Sequence, residues 1–446
     1  MKERGELQRP REKAEGWSWR APSPQVASAG KRRRSREQWS MSGVSGQRRR
    51  ALRWAEVEWS QQVVDPRQTR GRRYEHRGLL MLLVAAFACG LKSLRRVEDL
   101  ATDLGARVRQ HLAVPKRVSD PTLWRLLARQ STAGLRQTVA VQVRRLLKSP
   151  DVEKVALPMG VLSVDGKSLW TSQQHQVAGL EAVANDEAGT PLWRLGTLRA
   201  VLTSVVAAPC VDLEFIGAKE GESPAFHQLV PRVVESWGEH FQVITADAGL
   251  TAAENAALVR SLGKHYLLGL KGNQPTLHGH AIESLADKRC AARARTEDRA
   301  RGETVVRELW THALKPGEVE FAGAQLLLCV RQTHLKRDGT QSIEWRYFVT
   351  SLSTVELSFA HLLRLVRLHW AIENRHHWTL DMVLEEDDRQ PCLHSRSSLE
   401  VTAWLRVLAY NLVSAWRATL DQAWPLGVHS CPGCAPRWRS RRMDAC

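Results

Sequence analysis

The order of apolar and polar positions predicts a helical first part of the chain and a strand-rich second part. In the first part an apolar run predicts one buried helix, and shorter periods predict three amphipathic helices: Leu79 to Leu91, Leu94 to Leu104, Ala106 to Leu112 and Pro121 to Arg129. Ser119 or Asp120 is the expected N-cap of the last helix, with Pro121 in its first turn. These helices form either a helix-turn-helix, whose last helix brings Arg125 and Arg129 into a major groove, or a plain bundle.

From Gly160 onward the pattern changes to strands. Apolar runs predict strands at Gly160 to Asp165, Leu192 to Ser204, Val211 to Gly217, Phe241 to Asp247 and His265 to Leu270. Helices are predicted between them, at Ser223 to Trp237, capped by Ser223, and at Thr251 to Leu262. Two of the strands end in a carboxylate followed by a small residue, which predicts that Asp165 and Asp247 lie at the rim of the sheet.

A third acid lies on a predicted helix near residue 373. At 100° per residue, His377, Asp381 and several apolar residues fall within about 80° of Glu373, so this acid lies on a partly apolar face. Two strand-end aspartates and an inward glutamate are oxygen ligands of the kind that Mg²⁺ prefers and shares with phosphate. They predict metal-assisted phosphoryl transfer. The alternative is a zinc-binding helix formed by Glu373, His376, His377 and Asp381, which leaves both aspartates without a role.

Several separate motifs occur in a characteristic order around these acids. They are D-P-R-Q-T-R-G-R-R-Y at 65–74, V-D-G-K-S-L at 164–169, I-T-A-D-A-G-L at 244–250, L-K-G-N-Q-P-T-L at 270–277, R-Y-F-V-T-S-L at 346–352 and W-A-I-E-N-R-H-H-W-T-L-D at 370–381. In this order they resemble the DDE transposases of bacterial insertion sequences, in the branch that contains the H-repeat-associated proteins. The resemblance runs from about residue 63 to about residue 413.

The resemblance implies an α/β fold: a ribonuclease H-like mixed sheet with helices, interrupted by a β-rich insertion at about 276–345 and preceded by a helical N-terminal domain. Within the insertion, the D-G pair at 338–339 predicts a hairpin turn. It implies that Asp165, Asp247 and Glu373 are catalytic and bind two Mg²⁺ or Mn²⁺ ions. His369, His377 and Asp381 are expected to support these ligands from behind. A basic element that relatives carry after L-K-G-N-Q is represented here by R-A-R-G-E-T-V-V-R at 299–307, which contains Arg301 as an expected DNA contact.

Lys271 in the L-K-G-N-Q-P segment directly follows a predicted strand. A lysine there either meets a phosphate as a point charge or is a solvated loop residue. The implied function is a transposase that binds the terminal repeats of its insertion sequence and catalyses magnesium-dependent DNA cleavage and strand transfer, as a homodimer when two ends are held together. Two alternatives stay open: a DNA-binding protein that has lost cleavage, and a stand-alone nuclease that needs no end repeats.

Charge adds support for a polyanionic partner. The 65 Lys and Arg against 47 Asp and Glu give a net charge of +18, and residues 1–50 hold 14 basic and 5 acidic side chains. The expected organisation is a basic disordered arm (1–53), a helical DNA-binding domain (54–150), a catalytic domain (151–423) and a basic tail (424–446). The arm either grips phosphates without specificity or is an extension ahead of a later start at Met41 or Met81.

The length of the longest apolar run bears on whether the protein spans a membrane. At 13 residues, Leu79 to Leu91 is shorter than the roughly 20 that a membrane span needs, so no membrane partner is expected and the location is predicted to be cytoplasmic, with the nucleoid. The eight cysteines are scattered and predict reduced thiols. Cys431 and Cys434 form one C-P-G-C, but a structural zinc site would need a second pair that the tail does not supply.

Overall fold

The computed structural model describes residues 56–421, apart from 71, 115, 150–151, 185–189, 218, 287–290, 301–302 and 388–389. Within this part of the chain, the first segment forms helices α1 (His76–Ala88), α2 (Leu94–Asp103), α3 (Ala106–His111), α4 (Asp120–Arg129) and α5 (Leu135–Leu147). Helix α1 is buried on nearly every side, as an all-apolar helix must be. Helix α4 begins after Ser119, whose side chain makes no capping hydrogen bond, and α5 was not predicted.

The helical segment packs directly on the rest of the molecule. Helices α1, α4 and α5 contact the long C-terminal helix α11 (Arg396–Asp421), and one apolar core runs through both parts. Inside that core, Gln142 Nε2 donates to the carbonyl of Leu408 at 3.1 Å, and Asn411 Nδ2 donates to Gln142 Oε1 at 3.2 Å. Buried polar groups paired in this way fix how α5 and α11 sit against each other. The domain boundary near residue 150 stays a prediction.

Ten strands in the described part of the chain form one mixed sheet. They are β1 (Val161–Ser172), β2 (Ala182–Ala184), β3 (Pro191–Val201), β4 (Cys210–Ile216), β5 (Val243–Ala246), β6 (His265–Leu270), β7 (Ala294–Ala300), β8 (Glu303–Ala313), β9 (Leu326–Leu335) and β10 (Gln341–Thr350). The order is β2-β3-β1-β5-β6-β10-β9-β8-β7, with β4 paired to β3. Only the central pairs β1–β5 and β5–β6 are parallel. The protein is therefore a mixed α/β structure, while the ribonuclease H-like assignment stays a prediction.

Helices α6 (Glu222–Trp237) and α7 (Ala253–Ser261) connect the central strands. The expected cap of α6 is wrong: its N-cap is Gly221, and the Ser223 hydroxyl donates instead to Asn255 Oδ1 at 3.1 Å. Ser223 lies inside the first turn, where its side chain reaches α7 and not its own backbone. The helix thus begins with an acid, Glu222, in its first turn.

The segment expected to be an insertion begins with helix α8 (Pro275–Ser284) and continues as the antiparallel strands β7 to β10. Its strands extend the main sheet, because β10 pairs with β6 along residues 347–350. The predicted D-G turn is present: Gly339 has a φ of +82°, and Lys336 N donates to Thr340 O across the hairpin. Helices α9 (Phe359–His369) and α10 (Trp378–Met382) follow, joined by a π-helical turn at Ile372–His377.

Two further expectations concern the described residues only. None of their helices combines the length and apolar character needed to cross a bilayer. The cysteines among the described residues, Cys89, Cys210, Cys329 and Cys392, form no disulfide bond with one another. Cys431 and Cys434, the basic arm and the basic tail lie outside the described residues.

Candidate active site

The register of two parallel strands places two acids side by side. The ladder between β1 and β5 ends with Val164 opposite Ala246, so Asp165 and Asp247 each follow the last paired residue of their strand. One part of the prediction is wrong: Asp165 does not end its strand, because β1 continues to Ser172 along β3, where Asp165 lies opposite Arg199. Only β5, the parallel neighbour of β1, ends at this point, with Ala246. Asp165 and Asp247 therefore lie where the pairing of β1 with β5 ends.

The third acid comes from the irregular turn between α9 and α10. Glu373 lies in the π-helical turn, not in the regular α-helix that was predicted. In such a turn the backbone hydrogen bonds span five residues, which shifts every side chain away from the 100° spacing of an α-helix. The side chain of Glu373 lies near Asp247, whose charge acts on it. Single π-turns of this kind are frequently found at functional sites.

The acids perturb one another. Burial, and then the negative charges of Glu373, Asp247 and Glu222, raise the pKa of Asp165 to about 8. Reduced contact with water and the charge of Asp247 also raise the pKa of Glu373 above its ordinary value. Because burial and neighbouring negative charge disfavour its ionised form, Asp165 is a carboxyl group whose proton a bound cation would displace. The charge of Asp247 acts on both Asp165 and Glu373, so these three acids lie near one another.

Glu222 belongs to the same site and was not singled out in the sequence. A Cβ added to Gly166 would lie 2.0 Å from Glu222 Oε1, so this carboxylate packs against the residue after Asp165. Burial and the charge of Asp247 raise its pKa. The available signal was Gly166 itself: a glycine inside a strand indicates that another group approaches the backbone closely.

Lys271 lies at the open side of the site. Its Nζ is 3.5 Å from Asp247 Oδ2, and 70% of its side chain is exposed. Gly269 of β6 allows the loop that carries Asp247 to approach closely. A Cβ at this position would lie only 3.1 Å from the backbone nitrogen of Ala248. The ammonium group of Lys271 thus lies at the solvent edge of the acidic cluster, and its contact with a phosphate stays a prediction.

Two histidines lie behind the acids. His377 Nδ1 is 3.3 Å from Asp165 Oδ2, and His369 Nδ1 is 3.4 Å from Thr245 Oγ1 beneath Asp247. Burial lowers the pKa of His369 to about 4 and that of His377 well below its ordinary value. Both imidazoles are therefore neutral at neutral pH and orient their neighbours by contact, without adding charge.

Comparison with known proteins shows which family the chain belongs to. The family model described as "Transposase DDE domain" matches residues 157–412, more than half of the chain. The chain belongs to this family. A second model, described as "DDE_Tnp_1-associated", matches residues 58–140, which include helices α1 to α4. All three predicted triad residues lie inside the DDE match.

Individual relatives in Escherichia coli agree with the family match. "H repeat-associated putative transposase YhhI" and "Putative protein YbfL" of strain K12 are each 22% identical over 375 residues, covering 79% of this chain and 88% of the relative. "Putative transposase YncI" of O157:H7 is 26% identical over 182 residues. This match covers 38% of this chain and 45% of the relative, less than half of its length. The predicted relationship to the H-repeat-associated branch is confirmed.

Other predicted residues of this DDE-family protein lie farther from the acids. Asp381 forms an ion pair with Lys167, which ties α10 to β1. Arg125 and Arg129 are exposed on α4, next to the partly exposed Trp124, so their place at a DNA surface stays a prediction. Arg301 lies outside the described residues.

The zinc-helix alternative has no support in the geometry. His376 is fully buried, with its ring edge against Tyr410 at a centroid distance of 4.3 Å, and Asp381 turns to Lys167. Among the described residues, neither this set nor the three triad acids brings one ligand atom each within 4.8 Å of all the others.

Proposed function

We propose that this DDE-family protein is a transposase that binds the terminal repeats of its insertion sequence and catalyses magnesium-dependent DNA cleavage and strand transfer. The observation that carries the proposal is the gathering of Asp165, Asp247 and Glu373: burial, and then the charges of its neighbours, raise the pKa of Asp165 to about 8. Carboxylates are brought together at such a cost chiefly where cations or protons are handled. The family match supports a transposition reaction on DNA.

The donor set fits hard divalent cations. Asp165, Asp247, Glu373 and Glu222 offer carboxylate oxygens, the ligands that Mg²⁺ and Mn²⁺ prefer over softer metals. Asp165, whose pKa is perturbed by the charges of all the others, would hold two such ions together with Asp247 and Glu373. Glu222 would hold a ligand water or complete a position from the side of α6. When bound, such ions activate a water or a 3′ hydroxyl and stabilise charge on the leaving oxygen.

Groups of the chain itself would prepare the site. His377 holds Asp165 in place from the buried side, and as a neutral ring it leaves the carboxylate fully able to bind cations. Lys271 would meet a non-bridging oxygen of the scissile phosphate at the exposed side. Arg125 and Arg129 of α4 would contact the end repeat, and a net charge of +18 would draw the DNA towards the protein. Two protein copies would hold the two ends of the element.

The test is cleavage of a labelled duplex that carries the end of the element. Asp165→Asn and Glu373→Gln each keep the side-chain shape but remove one negative charge, so magnesium-dependent nicking should fall by orders of magnitude while DNA binding in a gel-shift assay persists. Asp381→Asn should cost less, because its partner is Lys167. Asp338→Asn, at the tip of the β9–β10 hairpin, is the distant control and should cleave normally.

Other outcomes would change the assignment. Wild-type protein that binds the end repeat but never nicks it would be a DNA-binding protein that has lost cleavage. Cleavage of end repeats and random duplexes at equal rates would indicate a stand-alone nuclease. Near wild-type cleavage by both triad variants, together with inactivity of a His376 and His377 double variant, would show that the metal centre lies elsewhere.

A further inference from the structure

Two histidines and a glutamate meet on the β-rich extension of the sheet. His280 lies on α8, His312 on β8, and Glu318 in the loop that follows β8. The Nε2 atom of His280 is 2.9 Å from Glu318 Oε1, and that of His312 is 3.2 Å from the same oxygen. The two rings stand edge to face, with centroids 6.2 Å apart. One ligand atom from each residue lies within 4.8 Å of the others.

Local structure fixes the glutamate in this position. Its other oxygen, Oε2, accepts a hydrogen bond from the backbone nitrogen of Lys315 at 2.7 Å, closing a turn in which Gly317 has a φ of +78°. Oε1 is thereby presented to both imidazoles. Hydrogen bonds from Lys315 N, His280 and His312 lower the pKa of Glu318 to about 2, so the carboxylate is ionised.

These distances are close to those of a metal-binding group. Four ligands held about 2.0 Å from a tetrahedral zinc ion lie about 3.3 Å from one another. The two N–O separations, 2.9 and 3.2 Å, already approach that value, and small side-chain rotations would bring the imidazoles to the same spacing. A cavity of about 420 Å³ lined by His312, Lys315 and Glu318 leaves room for water or another ligand to complete the coordination.

We propose that His280, His312 and Glu318 form a second metal site, specific for a borderline first-row dication such as Zn²⁺. Two imidazole nitrogens and one carboxylate oxygen favour such an ion over Mg²⁺, which takes oxygen ligands. The site is distinct from the all-carboxylate cluster around Asp165. A bound ion would fasten α8 to β8, and α8 follows directly on the L-K-G-N-Q segment that carries Lys271. By fixing α8 to β8, the ion would restrict the motion of the L-K-G-N-Q loop beside the acidic site.

The experiment uses the full chain carrying Asp165→Asn, so that the carboxylate cluster contributes little. The protein is stripped with a chelator, dialysed, and titrated with Zn²⁺ by calorimetry and with Co²⁺ by absorption spectroscopy. His280→Asn and Glu318→Gln should each weaken binding at least about tenfold. His278→Asn is the matched control: it lies on the same helix, but its ring packs against Tyr347, and binding should not change.

The cobalt spectrum separates this site from the cysteines of the tail. Nitrogen and oxygen ligands give a visible spectrum without the near-ultraviolet thiolate band that Cys431 and Cys434 would produce. The proposal is overturned if the parent protein binds no zinc, if all variants bind it equally, or if the thiolate band accounts for all the cobalt. In the first case the three side chains form a hydrogen-bonded group only. Circular dichroism of each variant shows whether it is folded.

Discussion

Replacing Asp165 by asparagine should make the metal-free protein more stable while abolishing cleavage. Asp165 is buried beside Glu373, Asp247 and Glu222, and this environment raises its pKa to about 8 from an ordinary value of 3.8. The folded state therefore holds its proton more tightly than the unfolded state does. Its contribution to stability is complete below pH about 4 and is lost as the pH rises through about 8. Asparagine keeps the shape and never carries the charge.

The size of the effect follows from the shift. A difference of about four pKa units at about 1.4 kcal/mol each sets an upper limit of about 6 kcal/mol above pH 8. The titrations of these acids are coupled, so removing the charge of Asp165 changes how strongly the other acids hold their protons. We therefore expect Asp165→Asn to increase the free energy of unfolding by about 2–4 kcal/mol. Near pH 5.5, where folded Asp165 is already protonated, the gain should be smaller.

The measurement is urea unfolding in chelator at about pH 5.5 and 8.5, with cleavage assayed separately in Mg²⁺. Asp212→Asn is the control: Asp212 is buried and accepts hydrogen bonds from Arg136 at 3.0 Å and Arg232 at 2.7 Å, so its loss should destabilise the protein at both pH values. The reasoning fails if Asp165→Asn is less stable than wild type at the higher pH, or if its effect does not grow with pH. A stabilised but inactive variant is the expected outcome of a site built for cation binding.

Two further substitutions probe the packing around the site. Glu386→Gln should cost about 3–5 kcal/mol in urea unfolding, because the fully buried Arg199 guanidinium 2.7 Å away would keep its charge without a counterion; a loss below about 1 kcal/mol would contradict this. Gly166→Ala should weaken Mn²⁺ binding in calorimetry, because the added methyl would lie 2.0 Å from Glu222 Oε1 and displace that carboxylate. Gly272→Ala, where no atom lies within 4 Å of the added methyl, is its control, and equal affinities for the two variants would remove Glu222 from the site.

The sequence alone predicted part of the local elements and the family of the chain. Strand β6 has the predicted bounds, His265–Leu270, and the D-G turn at 338–339 closes the predicted hairpin. Alternation of apolar residues and turn-forming pairs reports on the backbone within a few residues, so such elements can be read directly. The motifs around Asp165, Asp247 and Glu373 also sufficed to predict the family.

The tertiary structure alone decided which groups meet. The continuation of β1 past Asp165 depends on pairing with β3, and the π-turn at Glu373 breaks the helical spacing on which its face was predicted. Glu222 enters the site because α6 packs its first turn on Gly166, 56 positions earlier in the chain. His280, His312 and Glu318 come together only because α8 packs on β9 and β10, and β9 is the neighbour of β8 in the sheet. Contacts of this kind are set by register and packing between distant segments, which local patterns do not encode.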